Sequence, residues 1–467
     1  MKSNRRNFLK YSGLTGISLA GANLFKSYAA STEFPEAKTN HQHFNMCGYA
    51  APKLDTVRIG FIGLGNRGPG AVERMMHIEG VEIKALCDLQ SEKVNAVKKS
   101  LEGSVHRPDI YTDKADEWKK LCERPDIDLI YIATPWSLHT PMAMYAMNQG
   151  KHVCTEVPAA KTIDECWQLV KTSEHTRRHC MMLENCCYDF FELLTLNMAR
   201  QGLFGEIVHG EGAYIHDLLE GNFSKDKYWN MWRLKENFRN GNLYPTHGLG
   251  PVAQVMNINR GDNMKSLVSS STKDFTMGAK AKELAAKDEF YKPFANKSFR
   301  GNMNTTTVHT EKGRTIMLQH DVSSPNIYSR IYKISGTKGS SLKYPLPARL
   351  AIGDEDWLSE EEYKKIEDKY QPAIVKKVGE MAKQVGGHGG MDFLMDWRTI
   401  DCLRNGLPLD IDVYDAALWS SIAPLSEWSV ANKSNAITVP DFTAGSWKTN
   451  EPVDILLETG GTTKVLM

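Results

Sequence analysis

The chain has no CxxC pair, although 9 cysteines are spread along its 467 residues. Structural zinc and thiol redox sites draw on cysteines at that spacing, so no metal is expected. The odd count also argues against a disulfide framework and for reduced, packed thiols. Neither charge sign dominates, with 57 Lys and Arg against 56 Asp and Glu. There is no basic block and no acidic tail. The chain therefore lacks the electrostatic footprint of a nucleic-acid binder and of a disordered acidic partner segment. Beyond the N-terminal region no apolar run approaches the ~20 residues that a membrane-crossing helix needs, so no integral membrane segment is expected in the mature chain. Internal repeats and low-complexity tracts are missing too, which argues against a repeat architecture. What remains is a chain long enough for two domains with separate cores.

The first residues stand apart from the fold. Asn4-Arg5-Arg6-Asn7-Phe8-Leu9-Lys10 precedes the apolar stretch Tyr11–Phe25, and Ser27-Tyr28-Ala29-Ala30 supplies small residues for cleavage after Ala29 or Ala30. These parts make a twin-arginine export signal, assigned to residues 1–31, and imply a periplasmic or otherwise exported protein. Cys47 has no lipobox-like context, so no lipid anchor is expected. Residues 32–55 read as a polar, exposed leader. The twin-arginine route carries folded proteins, so a cofactor sealed in before export would have to be recycled rather than consumed.

The segment Val57–Gly70, VRIGFIGLGNRGPG, carries the most information. Val57, Ile59, Phe61 and Ile62 lead into Gly63-x-Gly65-x-x-Gly68, and the end of a second apolar run, VEIKALCDL, carries Asp88, 20 residues beyond Gly68. Strand, glycine turn, helix, second strand and acid in that order form a dinucleotide-binding fingerprint. Gly63 permits the tight turn, Gly65 lets the backbone approach a pyrophosphate, and Gly68 lets helix and strand pack closely. Asp88 suits the ribose 2′-OH and would repel a 2′-phosphate, so NAD is expected over NADP.

Alternation of strand and helix continues to about Asn185, through DLIYIATP, HTPMAMYAMNQG, HVCTEVP, TIDECWQLVKTSEHT and HCMMLENC. Such alternation implies a parallel sheet with helices on both faces, and the Rossmann domain is set at residues 56–186. From 187 to 467 the pattern changes. A helix over Tyr188–Gln201 is followed by strand candidates EIVHGEGAYIHD, TTTVHTEKG, RTIMLQHDVS and YSRIYKISGTKGSSLKY. The charged stretch Leu358–Gln371 and two C-terminal segments read as helices. This is expected to be a substrate-binding α+β domain with a mostly antiparallel open sheet.

The Rossmann unit, ATPWSLH, GKHVCTEVPAAKT and the following mixed-sheet domain resemble the Gfo/Idh/MocA family. Those relatives usually carry Glu-Lys-Pro where this chain has Glu156-Val157-Pro158. Their lysine, with an Asp and a His from the second domain, handles the substrate proton in hydride transfer. Aligning GNLYPTHGLGP with that stretch leaves Thr246 and Gly250 where the Asp and His would fall, with Tyr244 and His247 nearby. The twin-arginine start, ATPWSLH, TEVPAA, ENCCYD, WRLKENFRNGNLYPTHGLGP and GGHGGMDF together are similar to the family-109 glycoside hydrolases, NAD-dependent α-N-acetylgalactosaminidases. The resemblance implies NAD contacts at Asn66, Arg67 and Asp88, at Trp136, Ser137, Leu138 and His139, and at Glu156, Val157 and Asn185. It implies substrate contacts at Tyr214, Arg233, Tyr244, Pro245, Thr246, His247 and Tyr328, the last beside Tyr332 on one strand face. It also implies a glycan bearing terminal α-N-acetylgalactosamine as substrate, and a homo-oligomer.

The expected chemistry is redox-neutral: oxidation at sugar C3, loss of the C2 proton with elimination at C1, hydration and reduction; the resemblance implies retention at C1. Ordinary glycosidases use two carboxylates; Asp217, Glu220 and Glu236 are available by type. A base near C2 and C3 suits His or a tyrosine of lowered pKa, which points to His247 and Tyr244. Tyr214 serves as base or hydrogen-bond donor, and Arg233 stabilises developing charge. His247 is read in a Gly/Pro-rich loop, and His388 in GGHGG as a residue of a mobile loop able to close over the sugar. Trp229 and Trp232 are read as stacking on the sugar face or packing. Competing readings are an NAD-dependent sugar or inositol dehydrogenase, opposed by Val157 and the export signal, and a non-catalytic sugar-binding protein with structural NAD.

Overall fold

The structure, a computed structural model, describes residues 41–353 and 355–467. The export signal at 1–31 and the first part of the leader, 32–40, lie outside the described residues.

Six parallel strands form the first sheet: β1 (Val57–Ile62), β2 (Val81–Cys87), β3 (Asp109–Tyr111), β4 (Leu129–Ile132), β5 (His152–Thr155) and β6 (Cys180–Met182). Their order is β3-β2-β1-β4-β5-β6. Strands β4 and β5 are buried at every residue, as a sheet covered by helices on both faces requires. The order reverses between β1 and β4, and a crevice opens there beyond the strand C-termini.

The second sheet has eight strands: β7 (Ile207–Ile215), β8 (Met264–Ser271), β9 (Asn304–Thr310), β10 (Thr315–Asp321), β11 (Tyr332–Gly336), β12 (Gly339–Lys343), β13 (Arg349–Ile352) and β14 (Ile437–Thr438). The order is β13-β12-β11-β7-β10-β9-β8-β14. Only the β7–β10 pairing is parallel, so the sheet is mixed and mostly antiparallel, as expected. Sequence reading missed β8, whose serine-rich MKSLVSSS lacks a clean alternation. It also missed the helix Met277–Lys287, of which only Met277 and Ala281 are buried, with Leu284 and Ala285 partly so. That helix closes a small core over Tyr214, Leu218, Phe223, Met231 and Leu234, of which Tyr214 lines the cleft.

The C-terminal helices tie the two sheets together. Helix Val413–Ala431 starts at a reciprocal cap, Asp412 accepting from the Tyr414 and Asp415 amides, an arrangement worth ~1 kcal/mol. It packs against helix Ile163–Thr176 and strand β8. Helix Met391–Asn405 returns to the first helix, Gly68–Met75, where Arg74 Nε lies 2.7 Å from Asp396.

Two expectations are corrected here. The described part of the leader, 41–55, is not free in solvent. Met46 is buried, and the Tyr414 hydroxyl accepts hydrogen bonds from Gln42 Nε2 at 2.7 Å and the Met46 amide at 3.2 Å. Leu54 N donates to Leu403 O at 3.0 Å. Polar composition therefore marked a segment that hydrogen-bonds across the C-terminal helices. The residues around His247 are not a loop either: Thr246–Val255 is a helix despite Gly248, Gly250 and Pro251. All nine cysteines are free thiols, buried except for Cys47. Among the described residues no helix is long and apolar enough to cross a membrane.

Candidate active site

A cleft of about 1130 Å³ runs along the C-terminal ends of β1, β2 and β4 and under the second domain. At its floor the three glycines of the fingerprint do three different things. Gly63 takes a φ of +94°, and a Cβ there would come within 2.6 Å of the Ala133 carbonyl carbon. A Cβ at Gly68 would overlap the Gly63 oxygen. A Cβ at Gly65 would meet no protein atom within 4 Å, because Gly65 faces the cleft itself. Turn, close packing and open approach are the features that a dinucleotide pyrophosphate needs, so these residues fit a bound NAD. Asp88 anchors the loop: its Oδ2 accepts from Leu64 N at 2.7 Å and its Oδ1 from Gln90 N at 2.9 Å. Beyond it Lys93, Lys114 and Trp118 wall the adenosine end.

The other cofactor candidates lie along the same groove. Asn66 Nδ2 donates to Lys227 O at 3.1 Å, joining the glycine loop to the second domain. Arg67 is paired with Glu156 at 3.0 Å and Asp392 at 3.2 Å. Asn185 Nδ2 donates to the same Asp392 at 2.5 Å. Trp136, Ser137, Leu138 and Val157 line the groove directly. His139 is fully buried, with Nδ1 at 2.7 Å from Pro158 O and Nε2 at 2.8 Å from Thr134 O. It ties the turn after β4 to the end of β5, and so acts on the groove through its backbone.

The second domain contributes a cluster of rings. Tyr214, on β7, lies 4.7 Å from the Tyr244 ring and 5.4 Å from the His247 ring. Tyr244 stacks on Trp136 at 5.7 Å. Its hydroxyl lies 3.4 Å from His247 Nε2, while His247 Nδ1 lies 2.7 Å from Glu184. Arg233 has no carboxylate partner within 4.0 Å among the described residues. Its guanidinium sits over Trp136, Tyr228 and Tyr244 at 5.5–5.7 Å. Caged by rings and open to the cleft, it is not a surface-paired helix arginine but a cation placed for a ligand. Burial pushes the Tyr244 and Tyr214 phenols up despite the nearby Arg233. They are phenols, not phenolates, near neutrality, which runs against the expectation of a tyrosine of lowered pKa as base and leaves both able to donate hydrogen bonds.

His388 completes the cleft from the opposite side. Residues Gly386–Gly390 all have positive φ, a run tolerated because four of the five are glycine. The loop presents a half-exposed imidazole, with Nδ1 2.9 Å from Asp392 and 3.2 Å from Arg67 Nη1. Among the described residues its Nε2 takes no hydrogen bond and is free for a substrate.

Of the remaining candidates, Gly68, Pro245, Thr246 and Tyr328 do not line the cleft. Gly68 packs beneath the turn, and Thr246 is buried in the first turn of its helix. Tyr328 reaches the cluster through His216, whose ring is 4.8 Å away and whose Nδ1 lies 2.9 Å from the Tyr214 hydroxyl. Tyr332 is buried in β11, so the two tyrosines do not share an accessible face. Trp229 and Trp232 line the mouth. Glu236 lines it too, but is held by Lys161 at 2.6 Å and Arg239 at 3.4 Å. Glu220 is exposed and paired with Lys280, and Asp217 is exposed, so no carboxylate pair flanks the cleft from these three. Glu184, Cys186 and His247 bring three ligand-type atoms within 4.8 Å of one another. Arg330 already places its guanidinium 3.0 Å from Cys186 Sγ, however, and Glu184 Oε1 already pairs with His247, although Glu184 Oε2 is buried without a hydrogen-bond partner among the described residues. Sequence reading missed Glu184 and Asp392. The runs ENCCYD and GGHGGMDF contain them, but nothing local marks their partners.

Fold and site together define an NAD-binding domain of the Gfo/Idh/MocA type joined to a sheet domain that carries a polar, aromatic pocket. Residues 57–184 match the oxidoreductase family, NAD-binding Rossmann fold. Residues 188–449 match the glycosyl hydrolase 109 C-terminal domain. The chain belongs to glycosyl hydrolase family 109 and is a glycoside hydrolase with an NAD-binding domain. It is 49% identical to glycosyl hydrolase family 109 protein 1 of Bacteroides fragilis over 420 residues, covering 86% of this chain and 89% of that protein. It is 50% identical to an alpha-N-acetylgalactosaminidase of the same species over 411 residues, covering 86% and 96%. Among solved structures, an NAD binding oxidoreductase from Klebsiella pneumoniae superposes with a TM-score of 0.62 at 14% identity, over 83% of this chain and 99% of that one. A levoglucosan dehydrogenase in complex with NADH and levoglucosan gives 0.61 at 16%, over 82% and 100%. At such identities these two share the fold alone.

Proposed function

We propose that this protein is an exported glycosidase that removes terminal α-N-acetylgalactosamine from glycans with retention, without net redox change. The observation that carries this reading is the cluster of His247, Tyr244, Tyr214 and Arg233 facing the NAD groove, with Val157 where dehydrogenase relatives carry lysine. The glycine loop, Asn66, Arg67, Asp88, Trp136–His139, Glu156, Val157 and Asn185 hold the cofactor. Bound NAD⁺ would supply transient oxidation at sugar C3 by accepting hydride, with the C3 hydroxyl proton passing to solvent in the open cleft and returning on reduction, and the ketone so formed acidifies the C2 proton.

The chain's own residues do the proton work. His247 Nε2 takes the C2 proton, since an imidazole is the base suited to neutral pH. Tyr214 and Tyr244 donate hydrogen bonds to the sugar oxygens. Arg233, with no competing carboxylate among the described residues, stabilises the negative charge that develops on oxygen. His388 protonates the departing glycosidic oxygen at C1 and later takes a proton from the entering water. One group acting on one face for both events gives retention.

The test is hydrolysis of an aryl α-N-acetylgalactosaminide by the as-isolated holoenzyme in deuterated water, with mass analysis of the released sugar. One deuterium at C2 is the expected result. Release without deuterium would mean direct displacement. No release, with reduced dinucleotide building up on free sugars, would mean a dehydrogenase.

A further inference from the structure

We propose that Glu184 is the positioning residue of this site, holding His247 as the tautomer that presents an unprotonated Nε2 to the cleft. This rests on the reading of His247 as the proton acceptor. Glu184 follows β6 at the end of the first domain and is fully buried. Among the described residues its sole ion-pair partner is His247. Burying a carboxylate beside a single imidazole is costly, so the pairing needs a reason.

Geometry supplies one. Glu184 Oε1 lies 2.7 Å from His247 Nδ1 and accepts from Cys186 N at 3.2 Å. A carboxylate can only accept, so the proton sits on Nδ1 and the Nε2 lone pair points toward Tyr244 and the cleft. Burial pushes the Glu184 carboxyl up, but its interactions with His247, Thr246 and the Cys186 amide outweigh it and hold the group below its usual value, so it is an anion that accepts from Nδ1. Tyr214, Tyr244, His216 and Cys186 also face the His247 ring. None competes as an anion, because burial raises both phenols and the thiol and lowers His216.

The space for this carboxylate depends on one residue. A Cβ at Gly250 would come within 2.8 Å of Glu184 Cγ and 2.9 Å of Cys187 Sγ. Gly250 is the position where the sequence register places the dehydrogenase relatives' histidine. The volume a side chain would fill there is taken by Glu184, which reaches across to the imidazole one turn earlier. A carboxylate from the first domain thus takes that space, while the imidazole it positions comes from the second.

The test uses the holoenzyme with Glu184→Gln and Glu184→Asp. For E184Q we expect kcat on an aryl α-N-acetylgalactosaminide to fall by about 10²-fold or more with KM within a few-fold and the melting temperature little changed. The acid limb of kcat/KM should move to lower pH, and E184D should restore part of it. In ¹⁵N-histidine-labelled holoenzyme, with a His247→Asn variant assigning the signal, His247 should be a single Nδ1–H tautomer that becomes mixed in E184Q. This readout needs no substrate and survives failure of the glycosidase reading. An unmoved acid limb with an unchanged tautomer would overturn the proposal, as would a loss of activity matching only the unfolded fraction. Should E184Q not fold, Gly250→Ala makes the same test by displacing Glu184, and an unchanged limb and tautomer there would also overturn it.

Discussion

Replacing Gly65 by Ala separates the cofactor site from the fold. A Cβ at Gly65 meets no protein atom within 4 Å, and its φ lies outside the left-handed region. The apoprotein therefore has no contact to lose, and the stiffer unfolded chain favours the folded state by ~0.4–1 kcal/mol. The same methyl group protrudes where the pyrophosphate must approach. An extra methyl forced into a packed contact costs about 1–3 kcal/mol, and at about 1.4 kcal/mol per tenfold NAD⁺ should bind about 5- to 150-fold more weakly. Gly68→Ala is the comparison, because its Cβ would overlap the Gly63 oxygen and must move the backbone. The assay strips the dinucleotide from wild type, G65A and G68A, measures apoprotein melting, and titrates NAD⁺ back by calorimetry. G65A should melt at or slightly above wild type and bind weakly, while G68A should lose both. Wild-type affinity in G65A, or an apoprotein melting as low as G68A, would refute the assignment of Gly65 to the cofactor groove.

Other outcomes follow from the site. His388→Ala should lower kcat by about 10²–10⁴-fold, with a smaller effect on substrates whose leaving group needs no protonation, such as activated aryl glycosides; equal losses on good and poor leaving groups would remove His388 from the acid role. Burial pushes the Asp392 carboxyl up, but the His388 hydrogen bond and the charges of Arg67 and Arg74 outweigh it and hold the group well below its usual value. The unfolded chain then binds the extra proton, so this contribution to stability is present above pH ~4 and lost as pH falls further. Asp392→Asn should cost about 3 kcal/mol at pH 7 and flatten the acid side of the melting profile, and an unaltered acid slope would count against it. Replacing Arg5 and Arg6 by Lys should leave the protein in the cytoplasm, as fractionation of cells would reveal; export at the wild-type level would remove the twin-arginine proposal.

Local sequence was enough for the Rossmann domain because its signal is local. The positive φ of Gly63 and the close approach of Gly68 to the Gly63 oxygen lie within one strand–turn–helix, and Asp88 at the end of the next strand binds the Leu64 amide. Strand period and glycine spacing report such contacts directly. The second sheet was legible where strands alternate, as in β7 and β10, and illegible in serine-rich β8. Helix Thr246–Val255 defeats composition, since tertiary packing overrides the helix-breaking tendency of its glycines and proline.

The sequence by itself determined which side chains were available and where the dinucleotide turn lies, because both depend on neighbours in the chain. Tertiary structure alone decided what those side chains do. His247 meets a carboxylate 63 residues away, and Arg67 meets His388 across 321 residues. Burial raises the Tyr214 and Tyr244 phenols, and among the described residues rings rather than carboxylates surround Arg233. Protonation and charge pairing are set by desolvation and by partners brought together only on folding, and no local pattern of residues encodes either.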